Sequence, residues 1–320
     1  MSNPMILVYI LCSLLGAAII IILPKKITKR IRKNARKKLN ACWSIGYLRL
    51  TKPFELDLTE EIPAYNKFNI GVPAETLADP FVINSGNNGV YLFHEVVFTG
   101  ESLGKIAVSA LDAENNQWEY KGVIIDEPFH LSYPYVFYAA GGYYMIPETK
   151  AAKSVRLYKA INFPMKWRFV KSIIKNRKLV DPSIVCFEGK YYLFANRKKR
   201  LYLYHANNLT GPWFQHRKSP VRWGNYSRCA GRIIEYKGEI FRPAQELSKG
   251  YGNSMRFFRI LRLSDKDYRE EPAGRADFLH PFGNTWARFG MHHYDVLKLA
   301  DNDYFAVFDG KGVPVLKVKN

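Results

Sequence analysis

The sequence predicts an all-β fold, a five-bladed β-propeller preceded by an N-terminal transmembrane helix. Three observations carry that expectation. A hairpin-like unit occurs in five copies, a second strand pair follows each copy to give a period of roughly fifty residues, and the chain opens on an apolar stretch without a charge.

The clearest unit is 179–196, Leu-Val-Asp-Pro-Ser-Ile-Val-Cys-Phe-Glu-Gly-Lys-Tyr-Tyr-Leu-Phe-Ala-Asn. It opens on Asp181-Pro182, turns tightly at Glu188-Gly189-Lys190 and returns in a strand rich in aromatic and β-branched residues, as a β-hairpin does. Residues 78–95, 132–148, 229–245 and 293–309 can be laid over it. Every copy ends on a polar side chain: Glu95, Glu148, Asn196, Gln245 and Asp309. Fifteen residues before the last four stand Tyr133, Asp181, Ala230 and Tyr294; Asp79 stands sixteen before Glu95 because the first turn is one residue longer. One spacing and one polar column across five copies argue for a repeat rather than for chance hairpins.

Between the hairpins a strand, a short polar turn and an aromatic residue that opens another strand recur, at 106–118, 155–167, 201–213 and 257–268. The blades then run approximately 75–127, 128–178, 179–224, 225–287 and 288–320. The last is expected to be completed by strands from 41–58, since an open ring leaves unpaired edges. Residues 269–288, with Pro272, Gly274, Pro281 and Gly283, read as an irregular segment over one face.

At 320 residues, 48% hydrophobic and 15% aromatic, the chain can bury a large core in one domain from 41 to 320. Residues 1–24 read as a transmembrane anchor: 5–23 are nineteen residues without a charge, and as a helix they would span roughly 28 Å. A cleaved signal peptide is the rival, but Met1-Ser2-Asn3-Pro4 has no basic side chain and no Ala-x-Ala site follows. Residues 25–40 form a polybasic juxtamembrane linker. Its nine Lys and Arg residues, with no acid among them, leave +11 of the net +20 to the rest. A basic flank of this kind places the propeller on the cytoplasmic side. The stripe of Ile27, Ile31, Ala35 and Leu39 suits an anionic leaflet; a merely solvated linker is the alternative. The lipid bilayer is therefore an expected partner. Nucleic acid is not, because the basic excess is gathered beside the apolar segment without a stacking motif.

The cysteines, Cys12, Cys42, Cys186 and Cys229, have no metal-ligand spacing, and Cys186 is expected to be a buried mid-strand thiol. No phosphate-cradling glycine loop, dinucleotide fingerprint or nucleophile elbow is present, so no cofactor and no metal is expected. Asp301-Asn302-Asp303 has a metal-binding form but falls in a predicted hairpin turn.

In a propeller the first strands surround the axis, so one repeated position forms one ring. That ring would collect Asp79, Ser132, Tyr133, Asp181, Arg228, Arg232, His292, His293 and Asp295, with Glu95, Glu148, Asn196, Gln245 and Asp309 close by. Carboxylates, guanidiniums and imidazoles converging in one pocket shift each other's pKa values and bind hydroxyl-rich or anionic ligands. Two carboxylates across a cleft are also the minimum for glycosidic bond chemistry. The plainer reading is that Asp79-Pro80 and Asp181-Pro182 simply cap tight turns, since a strand's first residue needs no ladder N–H.

The Asp-Pro openings, together with Ala-Asn-Asn-Leu-Thr-Gly-Pro-Trp at 206–213, resemble the five-bladed arabinanase and β-xylosidase type of glycoside hydrolase. That resemblance implies Asp79 as general base and Asp181 as the residue that tunes the acid. The acid itself is absent: Cys229-Ala230-Gly231 stands where a Glu-Gly-Pro belongs. A closer resemblance rests on Glu-Pro-Phe-His-Leu-Ser-Tyr-Pro-Tyr-Val at 127–136, Tyr-Met-Ile-Pro-Glu-Thr at 144–149 and Val-Arg-Leu-Tyr at 155–158. Ala230-Gly231-Arg232, Arg-Pro-Ala-Gln at 242–245, Tyr251-Gly252 and Gly-Met-His-His at 290–293 complete the set. These runs are similar to the N-terminal domain of glucosamine inositolphosphorylceramide transferases. The exostosin-like glycosyltransferase domain of the plant proteins lies beyond that region and is not expected in this chain.

The resemblance implies a membrane-anchored carbohydrate-active protein of glycan or glycolipid biosynthesis, moving a glycosyl or related group in the central pocket. Its partners would be a saccharide or lipid-linked glycan and an anionic activated donor. Asp79 is the expected base, with Asp181 and Glu148 as further catalytic carboxylates. Arg232, Arg242 and His293 would hold the donor, and Glu95, Tyr133, Arg228, Gln245, His292 and Asp295 would line the substrate site. A non-catalytic glycan-binding propeller is one alternative. A glycosidase-like hydrolase with Glu148 or Glu246 as substitute acid is the other.

Overall fold

The computed structural model describes residues 41–53, 66–86, 89–112, 117–248, 250–274, 277–281 and 286–313. The expected anchor, basic linker and strand piece at 54–58 lie outside them. Among the described residues no helix is long and apolar enough to cross a membrane, and the regular structure is almost wholly β-strand.

The strands fall into five antiparallel units. β1 (Cys42–Leu50) and β2 (Asn66–Lys67) come first. β3 (Ala74–Asn84), β4 (Val90–Phe98), β5 (Lys105–Asp112) and β6 (Gln117–Ile125) form one meander; β7 (Ser132–Ala139), β8 (Gly142–Glu148), β9 (Val155–Asn162) and β10 (Lys166–Ile174) form the next. In the third, β11 (Val180–Phe187), β12 (Lys190–Asn196) and β13 (Arg200–Ala206) are followed by two short pieces, β14 (Phe214–Gln215) and β15 (Arg222–Trp223), both paired with β13. In the fourth, β16 (Arg228–Cys229) and β17 (Ile234–Tyr236) share β18 (Glu239–Glu246), beyond which lie β19 (Ser254–Leu263) and β20 (Tyr268–Ala273). β21 (Tyr294–Ala300) and β22 (Asp303–Gly312) belong to the last unit.

That last unit takes its third strand from the start of the described chain. β22 pairs with β1 from Cys42↔Gly312 to Leu50↔Tyr304, which covers an edge that would otherwise be open. β1 meets β3 at a single parallel pair, Trp43↔Thr76, and that contact merges two units into one eight-stranded sheet. Inner strands are buried almost throughout, as in the Met145–Glu148 half of β8, whereas outer strands such as β10 alternate between exposed and half-buried positions. This difference is expected when one end of each unit faces the axis and the other faces water.

Segment 269–288 is only partly irregular. Arg269–Ala273 is the outer strand β20 paired with β19, and Pro272 is tolerated there because the missing N–H lies on an edge strand. Cys186 is exposed rather than buried, because it falls in the alternating last part of β11.

The first strands meet in a ring. Val82 N–H of β3 donates to Asp295 Oδ2 of β21 (2.8 Å), and Tyr133 N–H of β7 donates to Asp79 Oδ2 of β3 (3.1 Å). Tyr135 Oη donates to Ile184 O of β11 (2.5 Å). Gly231, just after β16, bridges to Tyr294 of β21. Gly231 has φ +134°, and a Cβ there would lie 1.8 Å from Tyr294 O, so only glycine allows this approach.

Candidate functional site

Three of the first strands carry the same local device. Asp79, Tyr133 and Asp181 each precede a proline and each has positive φ, +52°, +50° and +49°. Strand register breaks at the same places, between Ala78 and Phe81, Ser132 and Tyr135, and Val180 and Ser183. Each is a bulge that leaves two residues out of the ladder, and the proline loses no ladder bond there. Left-handed backbone at a residue with a Cβ costs on the order of 1–2 kcal/mol, so the surroundings must hold it. They do so through the bulge N–H groups: Asp79 N–H donates to Asp309 Oδ2 (3.2 Å), Tyr133 N–H to Asp79, and Asp181 N–H to Glu148 Oε2 (3.3 Å).

The polar column that ends each hairpin therefore ties unit to unit. Glu148 and Asp309 accept from the next unit's bulge, and Asn196 Nδ2 donates to Ser227 Oγ (2.9 Å) at the entry of the fourth unit. Glu95 Oε1 lies 3.3 Å from His130 Nε2. Gly104 N–H donates to His130 Nδ1 (2.9 Å), which leaves the ring proton on Nε2, facing Glu95.

Asp79, Glu95, Glu148, Asp181 and Asp309 are all buried at this mouth. Arg228 lies on Asp181, with Nε on Oδ2 and Nη2 3.0 Å from Oδ1, and its Nη2 is 3.9 Å from Glu148 Oε2. Gln245 Nε2 donates to Asp181 Oδ2 (3.0 Å) and to Cys229 O (2.9 Å). Burial pushes Glu148 up to about 8, reinforced by the neighbouring Asp181 carboxylate. Burial likewise raises Asp79 to about 7, with His292 opposing and Asp309 adding to the rise. Glu95 is held well above the ordinary range by burial and by the Asp79 and Glu148 charges.

The fifth unit supplies a hydrogen-bonded chain. His292 Nδ1–H donates to Asp309 Oδ1 (2.7 Å), and His292 Nε2 meets Tyr251 Oη at 2.7 Å and Asp79 Oδ1 at 3.8 Å. Burial works against both charges, yet each partner favours the other: Asp309 sits below its ordinary pKa and His292 above. His293 Nδ1 also approaches Asp79 Oδ1, at 3.6 Å. Residues 292 and 293 precede β21, so both rings turn to the same carboxylate, where strand alternation would have sent them apart. His293 packs on Phe81 and Tyr133, and burial lowers it to about 3.

Other residues expected at the ring lie elsewhere or are fully engaged. Arg232 donates two hydrogen bonds to Asp295, Nε to Oδ1 (2.9 Å) and Nη2 to Oδ2 (3.0 Å), and also donates to Val136 O and Val82 O, so this pair bolts four units together deeper along the axis. Arg242 is buried against Glu270 (2.8 Å at both contacts) and Tyr226 O, and Glu270 also takes Arg222. Neither guanidinium opens on the mouth. Tyr133 Oη accepts from Gly231 N–H (2.8 Å) and contacts Ser183 Oγ (2.8 Å), closing the axis beneath Asp79.

Asp79, His292 and Asp309 bring one ligand atom each within 4.8 Å of one another. Asp309 already accepts three backbone N–H groups and His292 Nδ1–H, and the His292 Nε2 lone pair faces Tyr251. This set is a proton-bearing chain, and a divalent cation would have to displace it.

The repeat spacing points to none of Trp43, Tyr251 and His130. Trp43 stacks on His292 at 4.2 Å, and Tyr251, 54% exposed, lies over Arg228 at 4.7 Å. Gly252 and Gly290 make room: a Cβ on Gly252 would sit 2.6 Å from the Trp43 ring. Tyr251-Gly252 was visible as a motif. Nothing local marks Trp43, which reaches the mouth only because β1 closes the ring.

Residues 62–311 match the family model described as Glucosamine inositolphosphorylceramide transferase 1, N-terminal. A rice protein (Oryza sativa subsp. japonica) named Glucosamine inositolphosphorylceramide transferase 1 is 33% identical over 256 residues, 76% of this chain and 34% of its own length. Its Arabidopsis thaliana namesake is 31% identical over 307 residues, 87% of this chain and 40% of its own length. The chain thus spans between a third and two fifths of these relatives. Among solved structures, Zg3597, a family 117 glycoside hydrolase of Zobellia galactanivorans, superposes with a TM-score of 0.53 at 15% identity, covering 88% of this chain and 93% of that one. A thermostable family-43 glycoside hydrolase gives 0.51 at 14%, over 69% and 85%. These are likenesses of fold. The family match over most of the chain is of another kind, and by it the chain belongs to the family of the glucosamine inositolphosphorylceramide transferase 1 N-terminal domain.

Proposed function

We propose that this is a membrane-anchored carbohydrate-active protein of glycolipid assembly, which binds a saccharide at the axial mouth and takes part there in transfer of a glycosyl group. The observation that carries the reading is the pair of buried carboxyls, Asp79 at about 7 and Glu148 at about 8, on either side of the Arg228–Asp181 pair. Groups that titrate near neutrality can take and return protons at working pH. Asp79 Oδ2 is pinned by the Tyr133 N–H, which leaves Oδ1, between His292 and His293, to accept a proton from a sugar hydroxyl. Glu148 would be the proton donor, and Tyr251, exposed at the mouth and backed by Trp43 and His292, supplies an aromatic surface against which a sugar ring can pack. The relatives' names suggest an amino sugar and a phosphosphingolipid headgroup as the chemistry served. The uncharged residues 5–23 would hold the chain in a bilayer, and the basic residues that follow would keep the propeller on the cytoplasmic side.

The test is sugar transfer to a glycolipid acceptor by the full chain, read beside saccharide binding by calorimetry. Asp79→Asn and Glu148→Gln are each expected to cut turnover by about 100-fold or more while binding survives. Unchanged turnover in both variants overturns the assignment. A second reading, binding without turnover, is favoured by the engagement of Asp181 and Asp309, each with both oxygens in hydrogen bonds. It predicts saccharide binding by a wild-type chain that transfers nothing.

A further inference from the structure

The charge of the molecule is not spread evenly. Nine basic residues precede Asn40 and leave +11, and nine more lie in three short segments. Residues 149–153 read Thr-Lys-Ala-Ala-Lys, 175–178 read Lys-Asn-Arg-Lys and 197–200 read Arg-Lys-Lys-Arg, with no acid in any of them. Everything else carries only about +2.

All three segments lie on the mouth face, because each adjoins a mouth residue along the chain. The first follows Glu148, the second leads into β11 and ends three residues before Asp181, and the third follows Asn196. The first two touch, Arg177 N–H donating to Lys153 O (2.9 Å), and the third, the 197–200 turn, comes near the second, since Arg177 and Arg197 both act on the Tyr204 hydroxyl. Eight of the nine basic residues are exposed. Over the first unit the same face is neutralised by Lys105 on Glu101 and Asp126, and at the start of the second Arg156 is paired with Glu127. Over the second and third units, among the described residues, no carboxylate pairs with any of the nine. Beside the turn stands Trp223, paired with Arg200 in the ladder and 60% exposed.

We propose that this rim is a membrane-docking surface that seats the mouth against a bilayer bearing anionic, phosphate-containing lipids. Like charges from three loops on one face suit a plane of phosphates, with Lys and Arg each adding to the attraction. An exposed tryptophan beside them suits the headgroup layer, where its ring is half wet and half apolar. A single-stranded nucleic acid would call for a row of stacking aromatics, and the rim offers one. The consequence for the site is that a lipid-borne headgroup would meet the mouth without leaving the membrane. The docking itself is independent of the carboxylate chemistry, so its failure and that of the proposed transfer can be told apart.

The experiment uses the full chain reconstituted in vesicles of phosphatidylcholine, alone or with roughly a third phosphatidylserine to set a surface potential. Hydrogen–deuterium exchange is followed in peptides covering 149–153, 175–178 and 197–200. Exchange there is expected to slow in the anionic vesicles only, and to recover in high salt, since screening shortens the reach of each charge. Lys198→Glu is expected to weaken the docked state by about fivefold per unit of charge removed. Lys237→Glu makes the same charge change in the turn at the opposite end of β18 from Gln245, and should leave docking intact. Equal exchange in both vesicle types overturns the proposal. So does slowing by a soluble oligonucleotide that matches the slowing by anionic lipid.

Discussion

Asp79 and Glu148 hold protons into a pH range where ordinary carboxyls have lost them, and that ties stability to pH in a fixed direction. A carboxyl raised in the folded state binds a proton the unfolded chain has released, so its contribution is full below about pH 4 and is lost as pH rises through 7 and 8. His94 and His293, lowered to about 4 and about 3, act oppositely: their contribution is present above about 6.5 and is lost as pH falls. The cleanest measurement is therefore a difference. The Tm of Asp79→Asn relative to wild type should rise steadily from pH 5 to pH 8, and a flat difference would contradict the raised Asp79. Arg228 offers a second check. Its removal strands the Asp181 charge in a site 1% exposed, so Arg228→Met is expected to cost about 3–5 kcal/mol in denaturant unfolding, and Asp181→Asn/Arg228→Met considerably less. The acidic and basic identities at these positions were legible from the repeat spacing. Which of Arg228, Arg232 and Arg242 faces the mouth was not, because all three lie in one unit and differ only in which carboxylate the fold brings to them.

Hairpin register explains why that spacing was readable. The turns at Ala140-Gly141, Glu188-Gly189 and Lys237-Gly238 each place two successive residues at positive φ, +45° and +72°, +49° and +73°, and +51° and +77°. Two-residue turns of this kind lock the strands on either side, which fixes the interval between bulge and polar column. Their first residue prefers Asn, so Glu188→Asn is expected to stabilise by about 0.5–1 kcal/mol, a rise of roughly 1–2 °C in Tm. No change would mean that the turn is not the strained element it is taken to be. The same strands hid something else. Asp79-Pro80 and Asp181-Pro182 suggested strand openings or turn caps, whereas the prolines sit inside bulges, a distinction that depends on the partner strand. Strand β20 opens on Tyr268, where the repeat places a strand, but its run on to Ala273 reads as irregular because of Pro272 and Gly274, and an edge strand need not show strand composition.

At the scale of the whole molecule the ring depends on two closures, one long and one narrow. The long one is the antiparallel pairing of β1 with β22; a chain lacking residues 42–50 should lose its cooperative unfolding transition, since the edge of β22, Trp43 and the Tyr47–Phe305 stack go together. The narrow one is Gly231 against Tyr294. Gly231→Ala must push the backbone apart there, and a loss of about 3 kcal/mol or more is expected, from overpacking and positive φ combined. The sequence by itself determined the all-β class, the repeat, the polar column and the family resemblance, because each follows from local periodicity and residue type. Only the tertiary structure decided that Trp43 and Tyr251 share the mouth with Asp79, that Arg232 and Arg242 do not, and that three separate basic loops make one rim. Those facts depend on which distant segments the closed ring sets side by side, and no local pattern encodes that.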